Sequence, residues 1–110
     1  MRLPNYEMAY VPKHKIINYL LSETHAVGKA KSRYFRSLGF TEENADQLTD
    51  ALLMIAQSEE VSQEVPSRYG IKYIMDGDLD TPIGIKVRLR TVWVIETHDE
   101  QPRFVTAYPT

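Results

Sequence analysis

The sequence predicts an α+β fold in which two to three N-terminal helices pack on one face of a three- to four-stranded antiparallel sheet. Apolar residues in the first half recur at helical spacing, first Ile16, Ile17, Leu20 and Leu21, then Ala45, Leu48, Leu52 and Ile55. From Tyr69 onward the period becomes two, with Ile71, Tyr73 and Met75 sharing a side. Helices precede strands, and the strands are joined by short turns, which implies a meander beneath a helical layer rather than alternating parallel units.

Each element follows from its local pattern. Met8 to Val11 is a short apolar run expected to form an edge strand. Pro12 suits the first turn of a helix, where its missing N–H costs nothing, and that helix runs to about Ser22. A second helix is expected from near Gly28, with Ala30, Tyr34, Phe35 and Leu38 as its apolar stripe. Gly39 stops it, because glycine accepts the left-handed conformation without a Cβ clash. Thr41 is an N-cap candidate, with Glu42 and Glu43 at the positive end of the dipole of a third helix that ends near Gln57. Residues 58–70 are polar, contain Pro66 and read as a loop. A strand begins at Tyr69, and the tract 76–84, rich in turn formers, is expected to close a hairpin. The clearest strand is 85–97, with Val87, Leu89, Thr91 and Trp93 on one face and Lys86, Arg88 and Arg90 on the other. The basic face turns apolar at Val92 and Val94, so that end is covered on both sides or twisted by a bulge. Trp93 belongs to the core, and a last strand runs from Phe104 to Tyr108.

The chain of 110 residues is expected to form a single domain, residues 1–110. It has no cysteine, which excludes disulfides, thiolate zinc sites and a cysteine nucleophile. No apolar run approaches the roughly 18 residues that span a bilayer, and the opening MRLPNYEMAYVPK lacks the apolar segment of a secretion signal. A cytoplasmic protein without membrane contact is therefore expected. The net charge is only -2, but it is unevenly spread. Residues 13–36 carry six Lys or Arg against Glu23, whereas residues 41–64 carry seven acids and no Lys or Arg. One surface can meet an anion and another a basic partner.

The constellation His25-x-x-Gly28-x-x-Lys31 carries the most chemistry. Gly28 admits a ligand close to the backbone, and the following helix points its positive N-terminus at whatever sits there. Lys31 and Arg33 add charge, and histidine is suited to proton transfer near neutral pH. These are the parts for binding a phosphodiester, and for cleaving one by 2′-hydroxyl attack. The plain alternative is a solvated basic helix with glycine in its entry turn. Lys86, Arg88 and Arg90 form a stripe suited to tracking an RNA backbone, with Tyr73, Trp93 or Tyr108 for stacking; alternatively the acidic third helix or loop balances it. Asp76, Asp78 and Asp80 imitate the start of a calcium loop, but Thr81 replaces the required glycine and Val87 the bidentate glutamate, so an acidic hairpin tip is expected. His14, His25 and His98 lack metal-ligand spacing, and no phosphate-binding loop, serine elbow or dinucleotide fingerprint is present. No metal and no cofactor are expected.

Leu3-Pro4-Asn5, Tyr19-Leu20-Leu21, His25-x-x-Gly28-x-x-Lys31-x-x-x-Phe35-x-x-Leu38-Gly39, Tyr69-Gly70-x-x-Tyr73, Trp93 and Pro102-Arg103-Phe104-Val105-Thr106-x-Tyr108 follow one another along nearly the whole chain. In that order they resemble an uncharacterised bacterial domain family found as small stand-alone proteins and as tail domains of larger toxin-like proteins. Its helix–helix–sheet order is similar to the barnase, EndoU, colicin and RelE group of metal-independent ribonuclease folds. The resemblance implies toxin-like RNA cleavage, with His25, Lys31, Arg33, Thr106 and Tyr108 as site candidates. The chain departs from it at Ala26, where proline is common, and in having a third helix before the sheet.

Two functions follow. In the first, RNA lies over the sheet and the start of the second helix. His25, Lys31 and Tyr108 are then catalytic, and Gly28, Arg33, Arg103, Thr106, Arg88 and Arg90 hold phosphate or RNA. In the second, the chain is a non-catalytic interaction module, antitoxin-like or a complex subunit, using the acidic stretch 42–64 and the apolar end of the long strand. A cognate inhibitor protein or a homodimer partner is compatible with either.

Overall fold

The computed structural model of the chain describes residues 1–22 and 29–110. The helical layer and the antiparallel sheet of three to four strands expected from the periodicities are both present, the sheet with four strands and the helices packing on it. Helix α1, Lys13–Lys15, runs on into a π-helical turn, Ile16–Leu20, in which the Leu21 N–H donates to the Ile16 carbonyl at 2.9 Å. That wider turn buries Ile16, Leu20 and Leu21 together and leaves Tyr19 directed at the last strand. Helix α2 spans Lys29–Ser37 and buries Ser32 and Phe35. Gly39 ends it with φ 98°, as expected. The Thr41 side chain accepts from the Glu43 N–H at 3.2 Å, and Asn44 Oδ1 accepts from the Thr41 N–H at 2.7 Å. This reciprocal cap opens a 3₁₀ turn, Glu42–Asn44, that leads into α3, Ala45–Ser58.

The strands are β1, Gln63–Ser67; β2, Gly70–Asp80; β3, Lys86–Glu96; and β4, Arg103–Pro109, hydrogen-bonded in chain order. Three boundaries differ from the expected ones. Met8 to Val11 forms no edge strand: Tyr6–Met8 is a 3₁₀ turn, and the few residues left before Pro12 allow a single parallel bridge, Tyr10 to Arg103. Residues 58–70 are not all loop, because β1 lies within them. Every residue of β1 is exposed, so no apolar alternation marks it, and an edge position tolerates Pro66 because its missing N–H need not face a neighbour. The hairpin turn is confined to residues 81–85, since β2 continues through the three aspartates, each of which faces a cation on β3.

Side chains alternate across the sheet. Tyr73, Met75, Leu79, Leu89, Thr91, Trp93, Phe104 and Ala107 are buried beneath the helices. The Trp93 and Phe104 rings meet edge to face with centroids 5.4 Å apart. Helix α3 crosses β2 at Gly77, where an added Cβ would come within 3.0 Å of Ile55 and Glu59. The bulge anticipated at the apolar end of β3 is present: Trp93 pairs with Phe104 and Val92 with Thr106, leaving Val105 as the extra residue. Val105 and Thr106 consequently join the second face of the sheet. That face includes the three-strand rows Lys72–Val94–Arg103, Ile74–Val92–Thr106 and Asp76–Arg90–Tyr108.

Candidate functional site

Edge strand β4 is flanked by the helical layer. Lys31 reaches from α2 to donate to the Ala107 carbonyl at 3.4 Å, and its Nζ lies 5.0 Å from the centre of the Tyr108 ring. Next to Ala107 on the same strand, Thr106 Oγ1 and the Tyr19 hydroxyl are hydrogen-bonded at 3.1 Å, with Lys15 Nζ 5.1 Å from the Tyr19 ring centre. Two ammonium groups, two phenols and one hydroxyl therefore line a seam between the first helix, α2 and β4. A cation over an aromatic face gains from the ring quadrupole while its N–H bonds remain available to an anion.

Tyr108 is held from the sheet side as well. Its cross-strand neighbour Arg90 makes a bidentate pair with Asp76, Nε to Oδ1 at 2.8 Å and an Nη to Oδ2 at 2.9 Å. The Asp76 carboxyl is held below its ordinary value chiefly by the hydrogen bonds from Arg90. Arg90 is held the more firmly protonated by Asp76, with a smaller contribution from Tyr108. The row thus holds the Arg90 guanidinium, its charge balanced by Asp76, beside Tyr108.

Lys31, Thr106, Tyr108 and Arg90, all named from sequence, meet at this seam. Arg33 is exposed on α2 and takes no part in these contacts. Arg103, of the first cross-strand row, pairs with Glu96 at the end of β3, and Arg88 pairs with Asp78 at 3.4 Å near the hairpin. Lys86 completes the stripe against Asp80 at 3.3 Å. The basic stripe is thus balanced, and the balancing groups are the β2 aspartates rather than α3 or its loop. Those aspartates occupy strand positions, not a hairpin tip. His25 and Gly28 lie outside the described residues. Tyr19, Lys15 and Asp76 were not read from sequence as parts of this site. Tyr19 did stand in the Tyr19-Leu20-Leu21 segment of the resemblance, and Asp76 sat at the same alternating spacing as the cations it faces.

A small α+β domain with a polar, cationic seam at its last strand is the class these features define. The chain belongs to the family described as Domain of unknown function (DUF6883), whose pattern matches residues 2–110. In fold it is similar to a chain of a contact-dependent growth inhibition toxin–immunity protein complex from Klebsiella pneumoniae 342, at 17% identity, covering 96% of each chain with a TM-score of 0.75. No curated protein matches the sequence. Among the described residues no helix is long and apolar enough to cross a membrane.

Proposed function

We propose that the chain is a toxin-type domain that cleaves RNA without a metal, using the seam between α2 and β4. The observation that carries this reading is the meeting of Lys31 and Tyr108, 5.0 Å apart, beside the Asp76-anchored Arg90. The fold shared with a chain of a toxin–immunity complex supports a place in such a system, on the toxin or the immunity side; the seam's chemistry is what favours the toxin side.

In this reading the ribose 2′-hydroxyl loses its proton to a base, for which His25 is the candidate, and its oxygen attacks the adjacent phosphorus. The P–O5′ bond breaks, and the departing 5′-oxygen takes a proton from Tyr108. The products are a 2′,3′-cyclic phosphate and a 5′-hydroxyl. The nucleophile belongs to the substrate, so the protein need only position the strand, move protons and stabilise charge. Lys31 does the last, Thr106 donates to a phosphate oxygen, and Arg90 positions Tyr108.

Purified protein incubated with total RNA in EDTA tests the reading. Wild-type protein is expected to degrade the RNA. Lys31→Ala is expected to lose roughly 10²–10³-fold in rate, by analogy with removal of one transition-state donor. Tyr108→Phe and His25→Ala are each expected to lose roughly 10²–10⁴-fold, the range of general acid–base groups. Circular dichroism establishes that each variant is folded. Intact RNA with wild-type protein, together with normal growth of cells expressing it, would sink the proposal.

A further inference from the structure

The second face of the sheet holds a cleft that the cleavage chemistry leaves unused. Its volume is about 350 Å³, at the low end of the range for small-ligand pockets. Val94, only 8% exposed, is its floor, with Val65 and Val105 beside it. Tyr69 forms a wall and is 69% exposed; the Arg68 guanidinium lies 5.0 Å from its ring centre and donates to its hydroxyl at 2.9 Å. Lys72, Arg103 and Glu96 supply its charged lining. Arg103 is paired with Glu96, whereas Lys72 has no ion-pair partner among the described residues.

The position of the cleft matters as much as its lining. It occupies the Lys72–Val94–Arg103 row, and Tyr108 occupies the Asp76–Arg90–Tyr108 row of the same face. These rows are four residues apart along β3, about 13 Å at the rise of a strand. Thr106, in the row between them, offers a hydroxyl along the way. An apolar floor, an exposed ring backed by a guanidinium and the Lys72 ammonium together match an unstacked base with its phosphate. The cleft of about 260 Å³ beside α3 offers no such match, because its charged lining is Asp50 and Asp80.

We infer that this cleft is a base-stacking subsite for single-stranded RNA, holding a nucleobase of the strand whose backbone reaches the Lys31–Tyr108 seam. The inference rests on the RNA-directed reading above and adds that the substrate is unpaired over at least the span between the two rows.

A nuclear magnetic resonance titration of wild-type protein with a 2′-O-methyl tetranucleotide tests it, because that strand cannot be cleaved by 2′-hydroxyl attack. Methyl signals of Val65, Val94 and Val105 are expected to shift together with signals from Lys31 and Tyr108. Tyr69→Ala is expected to weaken binding about tenfold, in the range for loss of one stacking partner, and Tyr69→Phe to restore it. Shifts at Lys31 and Tyr108 alone would overturn the subsite and leave the RNA reading standing. Shifts at the cleft alone would uphold the subsite and remove the seam from RNA binding. No shift at either place would overturn both. Cleft shifts that grow with protein concentration in the absence of RNA would assign this face to a second copy of the chain and overturn the subsite.

Discussion

Thr91 shows how a single buried hydroxyl specifies the core. It is fully buried, donates to the Met75 carbonyl at 2.8 Å and accepts from the Trp93 indole N–H at 2.8 Å. Replacing it by valine keeps the shape but leaves the indole N–H without an acceptor. Thr91→Val is therefore expected to lower stability by about 1–3 kcal/mol, the cost of a buried unsatisfied donor. Thr91→Ser, which keeps the hydroxyl, is expected to cost less; urea unfolding of both variants measures the difference. Alternation placed Thr91 and Trp93 on the buried face from sequence alone, but the bond between them depends on rotamers that no periodicity reports. The same limit applied at the seam. Lys31, Thr106 and Tyr108 were legible as chemistry-bearing residues, while Tyr19 looked like one more helical position until β4 was seen beside it.

Strand boundaries were the least legible feature, and each miss has a cause. Strand β1 is exposed along its length, so burial imposes no pattern on it. The aspartates of β2 resemble turn formers when read singly. As a set they mirror the β3 cations about residue 83: Asp76 faces Arg90, Asp78 faces Arg88 and Asp80 faces Lys86. Opposite charges directly across an antiparallel pair favour one register, and that signal was present in the sequence. The outer two pairs are well exposed and contribute little. The Asp76–Arg90 pair is bidentate and more sheltered, and it has a pH signature. Its carboxyl titrates below the ordinary value of 3.8, so the unfolded chain binds that proton more readily than the folded one. The pair stabilises fully above that value and loses its effect as pH falls through the depressed one. The Tm gap between wild type and Asp76→Asn is therefore expected at pH 7 and should close on acidification. A gap that stays constant into strong acid would contradict the assignment.

Over the whole molecule, the helical layer and the sheet divide the work. One sheet face carries the core, and the other presents the three cross-strand rows that run from the Val94 cleft to Tyr108. The acids of residues 41–64 lie on the 3₁₀ turn Glu42–Asn44, on α3, on the link that follows it and on β1, none of them on the three strands that form those rows. An overall charge of -2 is thus compatible with a local cationic seam: Lys15 and Lys31 lie over the Tyr19 and Tyr108 rings beside β4, and Arg90 is balanced by Asp76. The most direct test of RNA cleavage at that seam is the chemistry of the cut ends. RNA treated with wild-type protein in EDTA should carry 2′,3′-cyclic phosphate and 5′-hydroxyl termini, and folded Lys31→Ala protein should yield almost none. Termini of another kind, or cyclic phosphates formed equally well by Lys31→Ala, would contradict it.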